Sequence, residues 1–226
     1  MRFLVDNKSK IIFGWSPKCG CSHVKRLFWF FAVDNINAKI HTYKESLQLP
    51  KNIEHYTTIV FCRNPYKRLV SGFLDKYRIN GQFRHMWKSN TITFSDFVNE
   101  IVKSNWQVID KHHFIQQTSE YFNERIMGSK DIRFFDIENI NYQYLENLYN
   151  KKIPSKLLMI KEGHERKIYD KTYEEEVYDL NMSLYFEYNI PLKLFYNEEI
   201  KNKVDFFYEK DFSFFRENGF DYGMPL

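Results

Sequence analysis

The chain has 226 residues, of which 43% are hydrophobic and 19% aromatic, enough to build one sizeable core. The formal net charge is only +4 and no lysine- or arginine-rich tract occurs, so the sequence lacks the electrostatic signature of a nucleic-acid-binding protein. No apolar run reaches the ~20 residues of a membrane span and the start of the chain is too polar for a signal peptide, so we expect one cytoplasmic domain over residues 1–226, without a transmembrane segment.

Strand and helix signals alternate along the chain, which is typical of an α/β fold with a central, mainly parallel sheet flanked by helices. Helical spacing is clearest in the middle of the chain, at Phe94, Phe97, Val98 and Ile101. We predict strands over residues 10–14, 39–42, 57–62 and 132–135. We predict helices over residues 22–33, 65–77, 94–102, 142–149 and 198–215.

A short glycine-containing turn follows the first predicted strand and precedes the first predicted helix. In such a turn the backbone N–H groups and the positive end of the helix point toward one place, which favours an anion. Lys18 adds a cation and Ser22 a hydroxyl. The sequence therefore predicts a phosphate-binding loop, whose candidate ligands are Pro17, Lys18, Cys19, Gly20, Cys21, Ser22 and His23.

This loop departs from the Walker pattern of nucleotide triphosphatases, G-x-x-x-x-G-K-[ST], in which the lysine directly follows the second glycine. Here Cys21 follows Gly20 and occupies the lysine position. The nearby cations are Lys18, before that glycine, and Lys25, whose position on the predicted helix indicates a solvent-facing side chain. ATP hydrolysis with magnesium is therefore not expected.

A second strand-to-helix turn carries an arginine and a serine. The β-prone run that ends at Cys62 is followed by Arg63, and Pro65 is well placed in the first turn of a helix that carries Ser71. An arginine fork and a hydroxyl suit a phosphate dianion, because charge-assisted bidentate hydrogen bonds are strong and geometrically selective. Two anion sites on neighbouring turns predict a ligand with phosphates at both ends of a nucleoside.

Together the two turns resemble a known family. Residues 17–22, Pro-Lys-Cys-Gly-Cys-Ser, are similar to the 5′-phosphosulfate loop of sulfotransferases that use 3′-phosphoadenosine 5′-phosphosulfate (PAPS). Residues 63–71, Arg-Asn-Pro-Tyr-Lys-Arg-Leu-Val-Ser, are similar to the 3′-phosphate motif of the same family, particularly its Golgi carbohydrate type and the bacterial relatives. Weaker similarities lie at residues 110–117, 134–140 and 208–215.

The resemblance implies a P-loop NTPase-like three-layer fold, with a central, mainly parallel sheet flanked by helices. It implies PAPS as the sulfuryl donor and adenosine 3′,5′-bisphosphate as the product. The acceptor would be a hydroxyl group of a carbohydrate, that is, a glycan or another hydroxyl-bearing molecule.

Catalytic residues follow from the resemblance and from the chemistry of sulfuryl transfer. Transfer between two oxygens depends on positioning and on neutralising charge at the leaving phosphate, a role that suits Lys18. The acceptor hydroxyl needs a base, and His41 is our first choice because related glycan sulfotransferases place their histidine base on a strand before the arginine motif. His112, His113 and Glu45 remain alternatives.

The cysteines argue against a metal site. Cys19, Cys21 and Cys62 all lie beside the predicted cofactor turns, and a four-ligand zinc spacing is missing, so we expect no metal. The odd number of cysteines also favours a reducing compartment over a disulfide framework.

The sequence leaves several questions open. The acceptor could contact the loops over residues 78–95 and 150–175, where Trp87 would suit a sugar ring. A P-loop nucleotide kinase remains an alternative function, as does a non-catalytic nucleotide-binding module that lacks a working base. Neither the residue that stacks on adenine nor the oligomeric state is indicated.

Overall fold

The computed structural model of the protein describes residues 1–35, 46, 48–78, 80–118, 126–159, 171–181 and 188–224. The chain divides into two compact units: the first consists of Met1–Arg63 and Gln117–Arg166, the second of Asn64–Gln116 and Lys167–Leu226. Each unit has its own hydrophobic core. A single domain over residues 1–226 stays a prediction.

The strands are β1 (Arg2–Asp6), β2 (Ile11–Trp15), β3 (Thr57–Cys62) and β4 (Asp131–Asp136). The helices are α1 (Cys21–Val33), α2 (Pro65–Lys76), α3 (Phe94–Val102), α4 (Lys111–Phe114), α5 (Tyr142–Tyr149), α6 (Ser155–Met159), α7 (Glu198–Phe207) and α8 (Glu209–Glu217). The strand predicted over residues 39–42 lies outside the described residues. No helix in the described parts of the chain is both long and apolar enough to cross a membrane.

The first unit is built on a sheet with the strand order β1-β2-β3-β4. β2, β3 and β4 run parallel to one another, which confirms the predicted mainly parallel sheet. β1 pairs antiparallel with β2 and is an edge strand that was not predicted. The carboxylate of Asp6 accepts backbone N–H bonds from Lys8 (3.0 Å) and Ser9 (3.1 Å), so a polar side chain stabilises the turn between these two strands.

Helices α1 and α5 pack on one face of this sheet, because alternate strand residues are large and apolar. The rings of Phe13 in β2 and Phe61 in β3 lie 5.4 Å apart, and Phe28 of α1 meets Phe13 edge to face at 5.6 Å. Phe31 of α1 stacks on Tyr149 of α5 at 4.7 Å. The predicted α/β class, with helices flanking the sheet, is therefore confirmed, and α1 is firmly anchored beside the loop that precedes it.

The second unit is a cluster of helices around aromatic rings. The ring centres of Phe73 (α2) and Phe97 (α3) are 4.9 Å apart, and those of Phe97 and Phe114 (α4) are 5.0 Å apart. Gly72 allows α2 to lie close to the Phe114 ring, because a Cβ atom at position 72 would lie 2.5 Å from that ring. Many aromatic residues of the chain thus serve as core in this unit.

The single helix predicted over residues 198–215 is wrong, because the chain forms two helices, α7 and α8, that meet at Tyr208. The Tyr208 side chain is buried, and its hydroxyl donates a hydrogen bond to the Phe114 carbonyl at 2.6 Å. No glycine or proline marks this break, so the helical periodicity continues across it. Of the aromatic residues in these two helices, Phe215 is fully buried, whereas Phe206 is 73% exposed.

Candidate functional site

The predicted phosphate loop lies between β2 and α1, in the first unit. The buried Ser16 accepts the Cys19 N–H at its carbonyl, at 3.1 Å, which closes a tight turn. Lys18 (φ 68°) and Gly20 (φ 67°) both have left-handed backbone conformations. A side chain is excluded at Gly20, since a Cβ atom there would lie 2.3 Å from Cγ1 of Ile137. The loop is thus held closely against the turn that follows β4.

Helix α1 begins directly after the loop, with Gly20 as its N-cap residue. The Val24 N–H donates to the Gly20 carbonyl at 3.0 Å, and the N–H groups of Cys21, Ser22 and His23 precede this intrahelical bond. Among the described residues, no side chain caps this end, and the first turn carries no acidic residue. Such N–H groups and the positive end of a helix favour an anion, so this geometry fits the predicted phosphate loop, whose role stays a prediction.

Arg63 follows β3 and reaches back to the phosphate loop. Its Nη1 atom donates to the Lys18 carbonyl at 3.2 Å, and its Nη2 atom lies 3.6 Å from Oε1 of Glu138. Lys18 and Arg63, predicted from two separate motifs, are therefore brought together. The contact with Glu138 was not predicted, because nothing in the sequence of a turn indicates which distant cation its carboxylate will face.

Gln117 is part of the same site, although no role was predicted for it. It is 3% exposed. Its Oε1 atom accepts hydrogen bonds from the Cys19 thiol at 3.0 Å and from the Arg63 N–H at 3.1 Å, and its Nε2 atom donates to the Arg63 carbonyl at 2.8 Å. One side chain thus contacts both turns that were predicted to bind anions. The weak family similarity over residues 110–117 was its only signal in the sequence.

Lys25 was expected to face solvent, and that expectation is wrong. Its side chain is 4% exposed, and its ammonium group lies 6.0 Å from the centre of the Trp15 ring. Its neighbours on α1, Val24 and Leu27, are also fully buried, so this part of the helix is enclosed on more than one side. The spacing of apolar residues along the helix could not reveal that Lys25 is buried. Lys25 adds a buried positive charge near the beginning of α1.

His23, in the first turn of α1, contacts α5. Its Nε2 atom lies 2.9 Å from the hydroxyl of Tyr142, and the two rings meet edge to face. Burial, helped by the charge of Arg26, lowers the pKa of His23 to about 4. The imidazole is therefore neutral at pH 7 and adds no cation to the anion site. Its role in cofactor binding stays a prediction.

Other predicted site residues belong to the second unit or lie outside the described residues. Ser71 lies half-buried on α2, in the second unit, and its role in phosphate binding stays a prediction. The preferred base His41 and the alternative Glu45 both lie outside the described residues. The three cysteines all lie among the described residues, and none of them forms a disulfide. Within the described ranges, no group of three or more His, Cys, Asp or Glu residues is arranged to hold a metal ion.

The other candidate bases, His112 and His113, lie on α4 in the second unit. The Nδ1 atom of His113 lies 2.6 Å from a carboxylate oxygen of Asp110. Burial pushes the pKa of Asp110 upward, but the hydrogen bonds from His113 outweigh it and hold this pKa below its usual value. The buried Arg68 donates to the carbonyls of His113 and Ile115, each at 2.9 Å. Hydrogen bonds therefore hold the backbone of this segment, and a carboxylate contacts one imidazole.

The loop over residues 78–95, expected to face the acceptor, is organised by Arg84. Its guanidinium group donates to the carbonyls of Trp87 (3.1 Å), Ser89 (2.9 Å) and Asn90 (3.0 Å), so Arg84 has a structural role here. Trp87 borders a surface cavity of about 310 Å³, also lined by Lys88, Ser89, Asp96, Asn99, Glu100, Lys103 and Val108. In the second loop expected to face the acceptor, residues 160–170 lie outside the described residues.

The sequence of the chain is similar to those of known proteins. Carbohydrate sulfotransferase 9 of Homo sapiens is 21% identical over 188 residues, which covers 59% of this chain and 42% of the relative. Carbohydrate sulfotransferase 8 of Mus musculus is 27% identical over 99 residues, which covers 37% of this chain and 24% of the relative. The chain thus spans less than half the length of these curated relatives. No solved structure is significantly similar to the chain.

The sequence profile described as "Sulfotransferase family" matches residues 1–216. The match includes the strand–loop–helix unit at β2 and α1, and the arginine turn after β3. Because it covers nearly the whole chain, the chain belongs to the sulfotransferase family, whose members have a P-loop-like fold.

Proposed function

We propose that this protein transfers a sulfuryl group from PAPS to a hydroxyl group of a carbohydrate. The observation that carries the proposal is the hydrogen bond from Arg63 to the Lys18 carbonyl at 3.2 Å. It joins the arginine after β3 to the anion-binding loop after β2 within one unit. Membership of the sulfotransferase family supports the donor, and similarity to proteins named carbohydrate sulfotransferases supports the acceptor class.

The described residues fit an anionic donor. The N-terminal N–H groups of α1 have no side-chain cap among the described residues, and the buried ammonium of Lys25 lies on the same helix. The Nη2 atom of Arg63 lies 3.6 Å from Oε1 of Glu138, and a guanidinium group is well suited to bind phosphate oxygens. We propose that Ser71 adds a hydroxyl to the 3′-phosphate. When bound, PAPS supplies the sulfuryl group and the leaving phosphate.

Lys18 is the residue that we propose to stabilise the transition state. Its backbone is fixed in a left-handed conformation, and its carbonyl is held by Arg63. Its ammonium would neutralise the charge that develops on the leaving phosphate, while the loop N–H groups and Ser22 share that charge. Removing one such donor commonly lowers kcat by a factor of ~10²–10³.

A histidine would act as the general base and accept the proton of the acceptor hydroxyl. We keep His41 as the first choice, on the family resemblance. His113 is the alternative with direct structural support, because Asp110 is 2.6 Å from its Nδ1 atom and can stabilise the imidazolium that forms. His112, on the same helix, is the third candidate.

Calorimetry with adenosine 3′,5′-bisphosphate in the presence of EDTA tests the donor site directly. We expect saturable binding without magnesium. Tight binding of ATP with magnesium, and none of the bisphosphate, would instead identify a P-loop kinase and refute the proposal. Binding of the bisphosphate without any transfer of labelled sulfate to a panel of glycans and small alcohols would leave only a nucleotide-binding module.

The base is tested by replacing single histidines with alanine. His41→Ala and His113→Ala are compared with His55→Ala, whose side chain is 64% exposed and serves as the control. We expect one of the first two variants to lose turnover while it retains affinity for the bisphosphate. If both keep the turnover of the control, a histidine base at either position is wrong.

A further inference from the structure

The backbone of Arg63 lies just beyond the hydrogen-bonded part of the sheet. The last registered pair between β2 and β3 is Trp15 with Phe61, and the last between β3 and β4 is Cys62 with Asp136. The sheet ladders therefore end one residue before the arginine that is expected to bind phosphate. Contacts outside the sheet must therefore hold the Arg63 backbone, because the position of the guanidinium group depends on the position of the backbone.

The side chain of Gln117 provides this support. Its side-chain amide donates to the Arg63 carbonyl at 2.8 Å and accepts the Arg63 N–H at 3.1 Å. The backbone N–H and carbonyl of Arg63 are therefore both paired with this one carboxamide group. The same Oε1 atom accepts the Cys19 thiol at 3.0 Å. Cys19 lies between Lys18 and Gly20, the two residues with left-handed backbone. Gln117 therefore contacts both anion-binding turns at their bases.

The chemistry of this position is specific to glutamine. A carboxylate would offer no N–H to the Arg63 carbonyl, and it would place an uncompensated charge where the side chain is 3% exposed. Asparagine keeps the amide but is one methylene shorter, so it cannot reach all three partners from the same backbone position.

We propose that Gln117 is a positioning residue, which fixes Arg63 and the loop of Lys18 in the one arrangement that binds both ends of the sulfuryl donor. This inference rests on the proposed function for its catalytic consequence. Its structural part, that Gln117 orders the loop over residues 16–22, can be measured without any donor.

The test compares Gln117→Glu with Gln116→Glu, which changes the neighbouring glutamine in the same way. Gln116 donates to the carbonyl of Phe207 at 2.8 Å and so controls for the loss of a supporting hydrogen bond elsewhere. We expect Gln117→Glu to weaken binding of adenosine 3′,5′-bisphosphate on the order of 10- to 100-fold, and the control to leave it within about 2-fold. In an Arg63→Ala background the effect of Gln117→Glu should shrink, because part of it acts through Arg63.

Hydrogen exchange of the peptide over residues 16–22 separates this inference from the proposed function. Faster exchange in Gln117→Glu but not in Gln116→Glu supports the positioning role, even if the wild-type protein neither binds the bisphosphate nor transfers sulfate, a result that would defeat the proposed function alone. Equal exchange and equal affinity in the two variants would overturn the inference. If Gln117→Glu does not fold, Gln117→Asn is measured in the same way, with the same two outcomes.

Discussion

Replacing Gly20 with alanine tests whether the phosphate loop is held by backbone conformation and by contact with the turn after β4. Gly20 has φ +67°, and a Cβ atom there would meet Ile137 Cγ1 at 2.3 Å and Cδ1 at 2.5 Å. The left-handed conformation costs an alanine about 1–2 kcal/mol. Moving the Ile137 side chain off its preferred rotamer adds about 1 kcal/mol. Alanine also restricts the unfolded chain, which offsets these costs by up to about 1 kcal/mol. The free energy of unfolding should therefore fall by about 2 kcal/mol in total.

For a chain of this size, that loss corresponds to a fall in Tm of about 4–8 °C, measured by thermal unfolding. Gly219→Ala is the matched control, because Gly219 has φ +84° but nothing within 4 Å of the added Cβ, so it carries only the backbone cost. Combining Gly20→Ala with Ile137→Ala removes the steric part, and we expect the double variant to lose about 1 kcal/mol less than the sum of the two single variants. Equal costs at Gly20 and Gly219, together with additive behaviour of the double variant, would refute the reasoning.

Three further predictions concern the charges of the site and the core. Lys18→Ala should lower kcat for sulfuryl transfer by a factor of ~10²–10³, measured with labelled donor, and unchanged turnover would remove Lys18 from the mechanism. Because the pKa of His23 is about 4 when folded and 6.5 when unfolded, the unfolded state binds more protons between these values, so Tm should fall as the pH is lowered through this window. The fall should be smaller in His23→Gln, and equal profiles would contradict this. Arg68→Met should lower the free energy of unfolding, measured with urea, by about 3 kcal/mol, since two carbonyls lose a buried donor. Arg84→Met, whose carbonyl partners are largely exposed, should lower it by less than about 1 kcal/mol. Similar losses in the two variants would contradict this prediction.

Features with a local signal were predictable from the sequence. The apolar runs of β2 and β3, the glycine turn before α1 and the proline at the start of α2 each depend on neighbouring residues, and the structure has them where they were predicted. Lys18 and Arg63 were predicted as site residues from short local motifs; the structure brings them into contact, and their roles stay predictions.

What the sequence could not provide are contacts between distant segments. Gln117 reaches Arg63 and Cys19 across long stretches of chain, and no periodicity indicates such a partner. The burial of Lys25 depends on what surrounds α1, not on the helix itself. At the break between α7 and α8, the buried Tyr208 side chain donates to the Phe114 carbonyl, a tertiary contact that the local sequence does not indicate.

The backbone at Lys18 has a consequence for engineering this protein. At φ 68° the backbone is strained for lysine and not for glycine, so backbone conformation by itself would favour glycine at this position. A screen that rewards heat resistance would then select against the amine on which turnover is proposed to depend. Thermal stability and catalysis would then favour different amino acids at this position of the loop.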